Sequence, residues 1–191
     1  MIRSENFLIR PLVRGDASLA LESWIDDDVA AEMLNTQRRR WSIAEQSEYF
    51  AKHEAQPDRL LLGIFPKREK EPIGLFIIGL QPRQAVFVIS LLIGNQAWRG
   101  GRITHEISEA IYDFFFNALR YEKAKAHVRP QNRSMLWVMY NYVWRKEARL
   151  KKHLRLAASG DRSDLLLFSI LADEWRARPE KFRFKPSSAV L

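Results

Sequence analysis

The sequence predicts an α+β fold, a single domain with a central mixed, mostly antiparallel sheet flanked by helices. Three observations predict it. The apolar runs Leu60 to Phe65, Ile73 to Leu80 and Ala85 to Ile93 follow one another with only Lys67 to Glu71 and Gln81-Pro82-Arg83 at the turns between them. Connections this short join antiparallel neighbours. Directly afterwards Ile103, Ile107, Ala110, Ile111, Phe114, Phe115 and Ala118 recur at helical spacing, which predicts one long amphipathic helix. Beyond it, strand and helix patterns alternate, so the two element types share one core. With 191 residues, 47% of them apolar, the chain can bury that core as one domain.

The elements follow in order. Phe7 to Val13 alternates apolar and basic residues, a first strand that ends at Arg14-Gly15-Asp16. Ala17 to Ile25 carries Leu19, Leu21 and Trp24, the apolar face of a short helix. Asp26-Asp27-Asp28 offers caps for a second short helix over Val29 to Leu34. Ser42-Ile43-Ala44-Glu45 has the capping-box form and opens a helix that Pro57-Asp58 ends. The three meander strands and the long helix come next. Lys123 to Val128 is a strand with one apolar face, and Asn132 to Val143 a helix. Trp144 to Leu156 is a basic strand or strand pair, and Asp164 to Ala172 a last buried strand. The predicted domain therefore covers 1–175. The tail 176–191, with Pro179 and Pro186, is expected to lie over the surface or fray.

Cysteine is absent, which excludes disulfides, thiolate metal sites and a cysteine nucleophile. His53, His127 and His153 lack metal-ligand spacing, so no metal site is expected. The start MIRSENFLIRPLV has no secretory apolar core, and apolar runs such as Val86 to Ile93 fall far short of the roughly 20 residues of a spanning helix. A cytoplasmic location is the expectation, with no membrane partner. The net charge is +8, and Arg120 to Arg155 holds 11 basic residues against two acids, Glu122 and Glu147. Such a region suits an anionic partner: nucleic acid, a membrane surface or a phosphate-rich small molecule.

One stretch carries chemistry. In Ile93-Gly94-Asn95-Gln96-Ala97-Trp98-Arg99-Gly100-Gly101-Arg102-Ile103-Thr104 an apolar strand runs through glycines into the long helix. Glycines let backbone N–H groups approach a ligand, and the helix N-terminus adds a positive dipole end; together they suit a phosphate or pyrophosphate. The same glycines also suffice merely to turn the chain.

With the element order in place, the chain resembles the GNAT superfamily of acyl-CoA-dependent N-acyltransferases over about Leu8 to Trp175, and most closely its ribosomal-protein N-terminal acetyltransferase-like branch. Trp98-Arg99-Gly100-Gly101-Arg102-Ile103-Thr104-His105-Glu106 resembles that branch's Trp-Arg-Gly-Lys-Gly-Ile-Ala-Thr-Glu, with Arg102 in place of a glycine. Val128 to Ser134 resembles Val-x-x-x-Asn-x-x-Ser, with the serine one place early. Trp144-Arg145-Lys146-Glu147-Ala148 stands where Phe-x-x-Glu-Gly is expected, and Asp164 to Trp175 resembles the closing run.

The resemblance implies an acetyl-CoA co-substrate and an amine acceptor: a peptide N-terminus, an amino sugar or another small amine. Attack requires a neutral amine. An α-amine, of pKa about 7.7 to 8.0, is far more often neutral at pH 7 than a lysine-like amine of about 10.4. It further implies that the backbone near Leu92 and Ile93 holds the pantetheine, that Arg99, Gly100, Gly101, Arg102, Ile103 and Thr104 bind the pyrophosphate, and that Asn132 contacts CoA. Tyr140 is the implied acid for the leaving thiolate, although the family's tyrosine position falls on Met139 and an aromatic there also reads as core. Ser134 is a second candidate donor to the thiolate, or a helix cap. His105 reads as an exposed helical histidine. Arg38-Arg39-Arg40 would border the acceptor site and favour an acidic acceptor. Two other readings stay open: a basic nucleic-acid or ribosome-binding protein of the same fold, and an acyl-CoA-binding scaffold without transfer activity. The oligomeric state, monomer or homodimer, is likewise open.

Overall fold

The computed structural model describes residues 1–99, 103–180 and 183, with the side chains of all of these except Val29, Glu32 and Met33. Eight strands form one sheet in the order β1-β2-β3-β4-β5-β6-β8-β7. They are β1 (Ile2–Arg3), β2 (Phe7–Pro11), β3 (Arg59–Pro66), β4 (Gly74–Gln81), β5 (Val86–Ile93), β6 (Lys123–Val128), β7 (Arg145–Arg155) and β8 (Arg162–Leu171). The helices are α1 (Leu19–Glu22), α2 (Asp28–Leu34), α3 (Ile43–Glu54), α4 (Ile103–Asp113), α5 (Arg133–Asn141) and α6 (Ala172–Arg176). The expected α+β architecture and its antiparallel meander are present: β3, β4 and β5 pair antiparallel in sequence order.

Strand alternation sends side chains to two cores. Leu62 and Ile64 of β3 join Phe76, Ile78, Phe87 and Ile89 against Ile107, Ile111 and Phe115 on one face. Leu61 and Phe65 join Leu75 and Leu92 against Leu21, Trp24 and Phe50 on the other. The helix α3 starts as its capping box requires: the Glu45 N–H donates to Ser42 Oγ at 3.4 Å, and the Ser42 N–H to the Glu45 carboxylate at 3.0 Å. Buried Glu106 of α4 is satisfied from across the fold, accepting from Ser4 Oγ at 2.6 Å and the Asn6 N–H at 2.7 Å.

Several expectations change in detail. The strand β1, two residues long, has no periodicity to read. The predicted long helix is α4 continued by a π-turn over Phe114–Ala118. The basic segment 144–156 is one strand, with register irregularities between Lys146 and Ala148 and between Leu150 and Leu154. The last strand gives way at Ala172 to α6. Beyond 175 the chain still packs: buried Arg178 lays its guanidinium 3.5 Å over the Trp175 ring and pairs with Glu109. Among the described residues no helix is long and apolar enough to cross a membrane.

The feature that positions the site is a break in pairing. Parallel strands β5 and β6 pair only at Val86 with Lys123, Phe87 with Ala124 and Val88 with Lys125. Beyond Val88 the two strands splay apart.

Candidate active site

The splay opens a cleft of about 340 Å³ whose apolar wall is Leu91, Leu92, Ile93, Met135 and Val138. Thr104, Asn132 and Ser134 supply polar groups to its lining. Thr104 is the second residue of α4, Ser134 the second of α5 and Asn132 the α5 N-cap, so two helix N-termini converge here with their positive dipole ends. The Asn132 Oδ1 accepts from the Met135 N–H at 3.0 Å, which leaves its amide N–H donors for the cleft. A second cavity of about 290 Å³ shares Leu91, Thr104, Asn132, Met135 and Val138 with the first and extends to Ile77, Ser90, Arg59 and His127. The two form a passage through the sheet.

Of the residues singled out from sequence, Leu92, Ile93, Arg99, Thr104, Asn132 and Ser134 all line this cleft. Arg99 is already engaged: Nη1 lies 2.8 Å from Asp27, and Nε donates to the Ile93 carbonyl at 3.0 Å. It ties the end of β5 to the start of α2 and would share its charge between Asp27 and any phosphate. Ile103 packs against the core and is not part of the lining. Gly100, Gly101 and Arg102 lie outside the described residues.

Tyr140 stands apart from the lining, 60% exposed with its ring edge against Phe168. Tyr142 lines the cleft instead. The helix α5 ends at Asn141, and extended backbone at Tyr142 (φ −117°, ψ −174°) turns that residue out of the helical register from which the Asn132 spacing is counted. His105, expected on the solvent side of its helix, also lines the cleft: its ring meets Tyr142 edge-on at 4.6 Å, and Nε2 lies 3.7 Å from Glu109. Burial, then the nearby Tyr112 and Glu109, pushes the Tyr142 phenol well above its ordinary value. It stays protonated at neutral pH. No spacing rule brings His105 and Tyr142 together, because their ring contact is tertiary.

The Arg38-Arg39-Arg40 cluster is paired within its own surroundings. Arg38 bonds Asp26 at 3.1 Å and Asp28 at 3.3 Å, Arg39 bonds Glu45 at 2.5 Å, and Arg40 lies 3.7 Å from Asp26. Its positive charge is offset by acids of α2, α3 and the loop before α2.

The lining suits the pantetheine arm of an acyl-CoA: an apolar wall for the arm, with helix N-termini and donors for its polar groups. A family model described as an acetyltransferase (GNAT) domain matches residues 6–141. A comparison with curated proteins finds no match. Among solved structures, a probable GNAT acetyltransferase from Chromobacterium violaceum superposes with a TM-score of 0.79 at 20% identity, covering 92% of this chain and 88% of that one. The spermidine N-acetyltransferase of Vibrio cholerae, solved with CoA and spermine, gives 0.77 at 16% identity over 90% and 98%. A GNAT-family acetyltransferase from Bacillus anthracis gives 0.76 at 16% identity over 90% and 98%. At these identities the superpositions speak for the fold, and the match over residues 6–141 supplies the family. The chain belongs to the GNAT acetyltransferases, acyltransferases that use acetyl-CoA to acetylate amines.

Proposed function

We propose that this enzyme acetylates a low-pKa primary amine, such as a peptide N-terminus or the amine of an amino sugar, with acetyl-CoA seated in the cleft between β5 and β6 and the acceptor reaching it through the same opening. The observation that carries this reading is the passage itself, whose two cavities share five lining residues across the splayed strands. Acetyl-CoA supplies the electrophilic thioester carbonyl and the thiolate leaving group. The chain's residues hold and polarise. Leu92 and Ile93 present backbone at the splayed edge, Thr104 and Asn132 offer donors, and Arg99 keeps the loop before α4 closed on β5.

Tyr142 is the residue that meets the leaving sulfur in this reading, with Ser134 as the second donor. Magnitudes define its role. Even an unshifted phenol, of pKa about 10, lies about 1.5 units above a thiol of about 8.5, so full proton transfer is uphill by roughly 2 kcal/mol. Tyr142 is shifted further in the same direction. It therefore acts as a hydrogen-bond donor that stabilises developing negative charge on sulfur. No paired-carboxylate base is needed for an α-amine, a fraction of which is neutral at pH 7.

Two measurements test this. Acetyl-CoA at 100 times its dissociation constant should stabilise the fold by about 2.7 kcal/mol in thermal unfolding, and an unchanged midpoint across a titration removes the cofactor site. In a free-thiol release assay, Tyr142→Phe should lower kcat about 100-fold while Tyr140→Phe stays near wild type. The reverse pattern would return the role to Tyr140.

A further inference from the structure

The far end of the passage has a charge pattern that the acetyl-CoA side does not need. Arg59 pairs with Gly79, Gly79 with Val88, and Val88 with Lys125. These four residues form one row across β3, β4, β5 and β6, and residues opposite one another in register send their side chains to the same face. At about 4.8 Å per strand, the two cations stand roughly 14 Å apart at their Cα atoms. Between them the floor is open, since a Cβ built on Gly79 meets nothing within 4 Å. A groove lies over this row, lined by Arg59, Ile77, Gly79, Val88 and Ser90, and Arg59 and Ser90 also line the passage to the splay.

The cations at the ends of the row are not neutralised. Among the described residues neither Arg59 nor Lys125 forms an ion pair. Glu147, the acid whose field reaches Lys125, is itself bonded to Lys123 at 2.5 Å and to Ser169 at 2.6 Å. Asp58 is the one acid among the residues lining the groove, and the described lining of the passage has no acid at all. His127, two residues beyond Lys125 and part of that lining, registers the local field: its pKa is lowered, by partial burial first and then by His153 and Lys125.

Resting on the acetyltransferase reading above, we propose that the acceptor is an amine bearing an anionic group, a carboxylate or phosphate, which lies over Gly79 between Arg59 and Lys125 while its amine reaches past Ser90 and His127 into the splay. A polycationic amine meets like charge at both ends of the row and is disfavoured. This assigns acceptor recognition to the sheet face and not to the Arg38-Arg39-Arg40 cluster.

The test compares four acceptors in the free-thiol assay: O-phosphoethanolamine, an Ala-Glu-Glu peptide, ethanolamine and spermidine. At least one anionic acceptor should exceed both ethanolamine and spermidine in kcat/KM by about tenfold, the range of a charge-assisted hydrogen bond, and the better of the two tells phosphate from carboxylate. Arg59→Gln should erase the preference through KM. Gly79→Val, which fills the open floor, should raise KM for the anionic acceptor at least as much. Both variants should keep wild-type stabilisation by acetyl-CoA, which separates a failed acceptor site from a failed fold. Equal or better use of ethanolamine or spermidine overturns the proposal, as does a preference that survives both substitutions. If acetyl-CoA binds and none of the four turns over, calorimetry of the same compounds with CoA present decides, and anionic probes that bind no better than ethanolamine overturn it. A protein that does not bind acetyl-CoA at all defeats the underlying function instead.

Discussion

Six of the eight residues of β3 are buried, whereas β7, the longest strand of the same sheet, has none. The contrast extends to the regions around them. In the half of the sheet from β1 to β5 several arginines are closed into local pairs, Arg10 with Asp16, Arg38 with Asp26 and Asp28, and Arg99 with Asp27, while Arg59 of β3 has no ion pair among the described residues. In the half from β6 to β8, Lys123, Arg145 and Arg149 have acidic partners. Lys125, Lys151, Lys152 and Arg155 have none among the described residues. Net charge alone therefore says little about recognition. Three consecutive arginines at 38–40 make a stronger sequence signal than Arg59 and Lys125, 66 positions apart, yet all three are ion-paired, whereas Arg59, which lines an open groove, and Lys125 have no ion pair among the described residues.

Substitutions that should act unequally in the two halves can break this contrast. The largest effect is expected at Gly74, where a Cβ would lie 2.3 Å from the Leu92 carbonyl oxygen, a backbone atom that cannot rotate away. Gly74→Ala should cost about 3 kcal/mol in denaturant unfolding. Gly79→Ala, five residues along the same strand, should cost almost nothing, and equal losses at both sites would refute the packing difference between the two ends of β4. Next in size is Asn132→Ala, which removes the α5 cap and should cost about 1 kcal/mol together with a weaker response to acetyl-CoA. Retained response in the thermal assay would leave Asn132 with the cap alone.

Acid sharpens the comparison further. Burial tends to raise the Asp16 pKa, but the bidentate Arg10 and the Val13 N–H outweigh it and hold the carboxyl below its ordinary 3.8. A depressed carboxyl stabilises the fold above the unfolded value and loses that contribution as pH falls through the folded one. The midpoint difference between wild type and Asp16→Asn should thus be constant above about pH 5 and shrink below the ordinary carboxylate range. A difference that persists in strong acid would mean the pair contributes through packing. The smallest effect is expected for Arg38→Gln, an exposed pair whose loss should leave both the unfolding midpoint and the acceptor KM essentially unchanged. A large KM effect would restore the arginine cluster to the acceptor site.

Local signals in the sequence carried most of the fold. The Ser42 and Glu45 capping box sets the start of α3, and period-2 alternation gives β6 its bounds at Lys123 and Val128, because both signals are complete within a few residues. Of the cleft wall, Leu92 and Ile93 were reached through the family resemblance, while Met135 and Val138 of α5 were not, since they meet β5 only in the folded chain. Nor were Tyr142 and His105, since one depends on where α5 stops and the other on a ring contact across the cleft. The row from Arg59 to Lys125 requires the register of three strand pairings at once, which no window of sequence contains. The π-turn after α4 likewise has the same apolar spacing as ordinary helix.

The three residue pairs that join β5 to β6 also fix how the molecule opens. A sheet sutured at so few points in its middle should open there first, as two cooperative units. Amide protons of β1 to β5 and of β6 to β8 should therefore exchange with solvent as two groups of different lifetimes. The backbone of β5 past Val88 lies on the seam, so its exchange reports directly on whether the gap is filled.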